Sequence, residues 1–211
     1  MDIFGLMKNE DTDVMEYMKK MYGEKFQDEF HIDNVDYAKF PGKEHHYYMS
    51  SKNMPSYRID VKGHKGKYQD NYMPHYYIEQ YQEYMKNALM PEIGECKVIS
   101  EILMETSDIS PDMGFDEYIH SGKIPFSCVV LASKKMDIEI YATKICNKIK
   151  ELGVIHNFIM VRVLNDYTKA EHIKTFFDAK DFNTTENPYY SDNTLCINRD
   201  NTLEAIEKGI F

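Results

Sequence analysis

The chain has 211 residues, of which 43% are hydrophobic and 28% charged, and a formal net charge of −10. That is enough chain for one substantial core, and the ordinary apolar fraction excludes wholesale disorder. The acidic balance, without a long basic run, speaks against nucleic acid and anionic membrane surfaces, which are bound by Lys and Arg neutralising phosphate.

Residues 1–12 are polar and read as a frayed start. Asp13 followed by Glu16 resembles a capping box, and Val14, Tyr17, Met18 and Met21 recur at helical spacing. A short amphipathic helix is therefore predicted over 13–22, ended by Gly23. Extended segments follow at 25–32, around His45–Ser50 after a Pro41-Gly42 turn, and at 57–62, where Tyr57, Ile59 and Val61 alternate with Arg58, Asp60 and Lys62. Gly63 to Lys67 reads as a tight basic connection. Pro74 suits the first turn of a long helix to about residue 90, with Tyr77, Tyr81, Tyr84 and Ala88 on one face and Pro91 as its stop.

Lys97 to Met104 predicts a strand, and a short helix is expected near 115–119. The run Phe126-Ser127-Cys128-Val129-Val130-Leu131-Ala132 is almost continuously apolar, as in a central strand covered on both faces. Ile138, Tyr141, Ile145, Ile149 and Leu152 form one helical stripe that Gly153 closes, and 154–164 is again apolar. Strand, helix and strand in that order predict a βαβ crossover with parallel strands. A helix near 167–177, a polar loop over 178–192, a short strand at 195–197 and a helical turn at 202–208 complete the reading.

No Gly/Ser- or Pro-rich linker and no repeat separates the halves. The prediction is one α+β domain over 1–211, with a single mixed sheet in which antiparallel strands lie beside the C-terminal βαβ unit and helices pack on the sheet. Two subdomains, 13–92 and 93–211, are the alternative.

Few positions carry chemistry. Gly63-His64-Lys65-Gly66-Lys67 fails as a phosphate loop, because Val61 and Tyr68 stand where glycine and a Ser or Thr hydroxyl are required. His31, His45, His46, His64 and His75, with Glu44 and Asp70, offer nitrogen and oxygen ligands. Adjacent His45 and His46 point to opposite faces of a strand, however, and no His-x-His or His-Glu-x-x-His spacing occurs. Cys96, Cys128, Cys146 and Cys196 match neither a zinc site nor a disulfide framework. No nucleophile elbow and no dinucleotide fingerprint is present. The expectation is no bound metal and no cofactor. The N-terminus has no charged-then-apolar leader, and no stretch approaches the roughly 20 apolar residues of a membrane span, so a cytoplasmic protein is expected.

The most distinctive stretch is tyrosine-rich. Tyr77, Tyr81 and Tyr84 are expected in the core, whereas Tyr68, Tyr72 and Tyr76 are the candidate interface anchors. The layout Tyr17-Met18 … Tyr22-Gly23-Glu24 … Phe26, then strands, then Asp70-Asn71-Tyr72, resembles a loose group of uncharacterised small bacterial proteins. The resemblance covers about the first 90 residues and implies a helix, an antiparallel sheet and a second helix; it carries over no catalytic residue. Two functional classes follow. The first is a stoichiometric protein-binding module, such as an immunity or inhibitor protein against a basic toxin. The second is an enzyme using some of Glu44, His46, His64, Asp70 and His75.

Overall fold

The computed structural model describes residues 3–40, 43–102, 109–123, 125–133, 137–164, 166–180, 190–198 and 203–208. The expected Pro41-Gly42 turn, the end of the strand at 103–104 and most of the 178–192 loop fall outside them. The fold is α+β, and the chain divides into two compact units, Met1–Tyr76 with Met104–Gly114, and Tyr77–Leu103 with Phe115–Phe211.

The first unit opens with α1, Ile3–Met18, which passes through a π-helical turn at Lys19–Gly23 into the single turn α2, Glu24–Phe26. Residues 3–12 are thus helical rather than frayed, and the Asp13/Glu16 pair lies inside the helix instead of starting it. Val14, Met18 and Tyr22 are buried along one face, so packing of that stripe draws the polar segment ahead of it into the same helix. Four strands follow: β1, Phe30–Asp36; β2, His45–Ser51; β3, Arg58–His64; and β4, Lys67–Asp70. They form an antiparallel sheet in sequence order. Along β2 the burial alternates at every residue, as period-2 geometry demands. The β3–β4 turn is Lys65-Gly66, both at positive φ (50° and 76°), the backbone of a two-residue hairpin. At Gly63 a Cβ would lie 2.1 Å from the Lys67 carbonyl oxygen, so no side chain fits there. Lys25 Nζ donates to the Pro111 carbonyl at 2.7 Å, tying the 109–114 segment to this unit.

Helix α3, Tyr72–Ile93, continues past Pro91 and ends at Gly94 (φ 78°), whose amide returns to the Met90 carbonyl. Pro91 sits in the last turn, where one missing donor is tolerated, and glycine provides the stop instead. Tyr81 is fully buried, as expected; Met85 and Leu89 are buried on the same helix, whereas Tyr84 and Ala88 are partly exposed.

In the second unit β5, Cys96–Glu101, β6, Phe126–Ser133, β7, His156–Leu164, β8, Tyr190–Asn198, and β9, Leu203–Lys208, form a five-stranded sheet in sequence order. β6 and β7 are parallel and joined by α5, Ile138–Leu152, which Gly153 terminates at φ 64°. All of β6 except Ser133 is buried. On one face Ile99, Val129, Leu131, Leu164, Ala170, Ile173 and Phe176 form a core. Elsewhere in the unit Tyr81 stacks on Phe126 at 4.2 Å, with Tyr118 against the same ring. The short helix α4 spans Phe115–Ser121.

Three expectations are corrected. The antiparallel strands and the βαβ unit lie in two sheets, not one mixed sheet, because β4 hands the chain to α3 and no strand of the first group pairs with the second among the described residues. The predicted helix at 167–177 is a 3₁₀ segment, Tyr167–His172, followed by the short α6, Phe176–Lys180. The predicted turn at 202–208 is instead strand β9, paired antiparallel with β8.

Candidate functional site

Tyr17, Tyr22, Asp70 and Tyr72 meet in one place in the first unit. Asp70, 3% exposed, accepts the hydroxyls of Tyr17 (2.5 Å) and Tyr22 (2.9 Å) and the amide of Tyr72 (2.9 Å), the first residue of α3. Asp28, 6% exposed, accepts the Tyr72 hydroxyl (3.0 Å), Ser51 Oγ (2.6 Å) and the amides of Glu29 and Asn53. The Tyr22 and Tyr72 rings stack at 4.2 Å. Asn71 Oδ1 accepts the Asp60 amide at 2.8 Å. Burial, reinforced at Tyr22 by the Asp70 charge and at Tyr72 by the hydrogen bond to Asp28, raises both phenols far above their ordinary range, so they remain donors. Two buried carboxylates, each satisfied several times over, tie α1, the sheet and the start of α3 together.

This arrangement decides the tyrosine anchors. Tyr72 is fully buried and Tyr68 is 8% exposed, so neither is the free surface aromatic that was expected; Tyr76, at 44%, is exposed. Nothing local distinguishes Tyr72 from Tyr76, because the partner that buries Tyr72 is Asp28, 44 residues away.

The candidate enzyme residues do not gather. Glu44 is exposed, Asp70 belongs to the tyrosine network, and His46 is half-buried against Tyr48 on the opposite face of β2 from His45. Instead His64 on β3 and His45 on β2 converge on Glu10 of α1, a residue the sequence did not single out. His45 Nε2 contacts Glu10 Oε2, and His64 Nδ1 lies 3.1 Å from Oε1. One ligand atom from each of the three lies within 4.8 Å of the others, close enough to hold an ion.

The hydrogen bonding does not suit a metal centre. His45 Nδ1 accepts the Ala38 amide at 2.9 Å and so carries a lone pair. Its proton is then on Nε2, facing Glu10, whereas a ligating histidine needs its lone pair on the metal side and its N–H toward an outer acceptor. Both nitrogens of His64 are buried and lack an aligned hydrogen bond among the described residues, so this imidazole does not face solvent as a general base would. The cluster reads as a carboxylate–imidazole latch between α1 and the sheet. Purified protein is expected to hold well under about one transition-metal ion per chain. Elemental analysis finding roughly one ion, lost in His64→Ala, overturns this reading.

His75, 7% exposed, stacks on Tyr57 at 5.0 Å. Burial pushes its imidazole from 6.5 down to about 4, outweighing Asp60 and a hydrogen bond to the Arg58 backbone, which act upward. The unfolded chain therefore binds this proton more readily than the folded protein. Its contribution to stability is fully present above about pH 6.5 and is lost as pH falls toward about 4, by roughly 3 kcal/mol in all. His75→Gln is expected to remove that part of the pH dependence. Denaturant unfolding at about pH 7 and about pH 4.5 checks it, and equal losses in variant and wild type contradict it.

The second unit contains a groove of about 760 Å³ along β5. One wall is α3, with Glu79, Glu83 and Met90; the other is the 3₁₀ segment, with Tyr167 and Glu171; Cys96 and Val98 form the floor, and Glu95 stands at one end. The four glutamates are exposed, as is Met90 at 45%. The two lysines of the groove are engaged: Lys86 pairs with Glu83 at 3.5 Å, and Lys97 Nζ donates to the Ala170 and Ile173 carbonyls at 2.9 and 2.6 Å. Burial pushes the Cys96 thiol up to about 11, so it is no nucleophile. The groove is thus acidic at its rim and apolar at its base.

No family model matches the chain, and no curated protein matches it. Among solved structures it is similar to a DUF5037 family protein from Ruminococcus gnavus ATCC 29149, with a TM-score of 0.45 and 14% identity over 92% of this chain and 94% of that one. Among the described residues no helix is long and apolar enough to cross a membrane.

Proposed function

We propose that this chain is a stoichiometric protein-binding module that takes a basic partner, in the way an immunity or inhibitor protein neutralises a basic toxin. The observation that carries the reading is the groove along β5, where exposed Glu79, Glu83, Glu95 and Glu171 outnumber Lys86 and Lys97 around an apolar base. The formal charge of −10 acts in the same direction at long range, raising the encounter rate with a cation-rich surface. Met90 supplies an exposed apolar contact in the groove, and Tyr76 is the remaining exposed member of the anchor set. Support for the enzyme alternative falls with the dispersal of its residues.

The test is affinity capture from the native host on immobilised wild type and on a Glu83→Lys/Glu171→Lys variant. Proteins held by the wild type and lost from the variant are expected to be basic and to elute with salt, since screening over about 10 Å at 0.1 M removes the steering charge. For any such partner Tyr76→Ala is expected to weaken binding by about 2 kcal/mol. A partner that is acidic, or held equally through high salt and by the charge-reversed variant, contradicts the proposal.

A further inference from the structure

We infer that the groove binds its partner by strand addition: an extended basic segment pairs with the free edge of β5. The inference rests on the proposed binding role and names its mode. β5 is the first strand of the five-stranded order, so one of its sides faces no strand of the sheet among the described residues. In an antiparallel ladder alternate residues turn their N–H and C=O toward the partner strand, and the others turn theirs away, within the plane of the sheet. The phase of β5 is set by Ser100, whose amide donates to Gln82 Oε1 on α3 at 3.1 Å instead of to β6. Cys96 and Val98 share the parity of Ser100, so their backbone groups also point outward, and they are the two residues at the base of the groove. Among the described residues no backbone hydrogen bond beyond the sheet ladder reaches them.

The Gln82 amide thus does for Ser100 what an added strand would do for Val98 and Cys96. The walls suit a strand's alternating side chains. Residues directed to one face of the added strand meet Glu79, Glu83 and Met90 on α3, and those directed to the other meet Tyr167 and Glu171. Lysine or arginine directed to the α3 face, where Glu79 and Glu83 lie, with apolar residues directed to the other, is the complementary pattern. A short edge strand with an open carboxylate rim is the kind of edge that attracts a basic strand and repels acidic ones.

The experiment uses labelled heptapeptides alternating lysine and valine, a glutamate–valine counterpart, and two lysine peptides N-methylated on the odd or on the even amides, titrated against the full chain by fluorescence anisotropy. The lysine peptide is expected to bind. One N-methylated isomer is expected to lose about tenfold or more in affinity while the other is unaffected, because only one set of amides faces β5. Equal behaviour of the two N-methylated isomers overturns strand addition even if basic peptides still bind, in which case the basic-partner reading stands. Equal binding of the lysine and glutamate peptides, with one isomer still lost, overturns the basic-partner reading and leaves the strand site. No binding by any peptide up to about 1 mM overturns the strand site itself.

Discussion

Asp70→Ala is expected to destabilise the protein by about 3–5 kcal/mol, because it removes a buried carboxylate that several donors share. The carboxylate accepts Tyr17, Tyr22 and the first amide of α3, and its residue is 3% exposed. Tyr22→Phe removes one hydroxyl and keeps the ring, so its expected cost is smaller, about 1–2 kcal/mol. Tyr76→Ala, at an exposed ring, should leave stability within about 1 kcal/mol of wild type. Urea unfolding of the three variants is the measurement. A cost for Asp70→Ala below about 1 kcal/mol would show that the network is not what ties α1 to the start of α3.

Val130→Asp is expected to abolish cooperative folding of the second unit. Val130 is fully buried and lies between Val98 of β5 and Val161 of β7, with no cation beside it in either register. An ionised carboxylate there loses its hydration without a partner, and the several kcal/mol involved is comparable to the whole stability of a domain. Circular dichroism and a thermal melt decide it; a cooperative transition near the wild-type temperature would mean that β6 is peripheral. The same substitution at exposed Ile140, on α5, serves as the control and is expected to be nearly neutral.

Features that rest on local periodicity and backbone sterics are legible in the order of the residues alone. The α5 stripe with its Gly153 cap, the apolar run of β6, the alternation along β3 and the glycine turn before β4 are legible because helix and strand periods and positive φ are set within a few residues. Tyr17, Tyr22, Asp70 and Tyr72 are conspicuous in the sequence, and their contacts with one another are visible only in the fold. Other features depend on partners far along the chain and emerge only from the packed fold. Period-2 alternation shows that a segment is a strand but not which sheet it joins, so two sheets were read as one. Residues 203–208, with Leu, Glu, Ala and Lys, favour a helix locally, and pairing with β8 overrides that preference. Tyr72 is buried and Tyr76 exposed because Asp28 waits for one hydroxyl and not the other. Glu10 finds His45 and His64, and Gln82 reveals the outward phase of β5, only after α1 and α3 have packed. Local stereochemistry reaches about one turn or one hairpin along the chain, whereas the burial of a polar group is settled by whichever distant residue completes its hydrogen bonds.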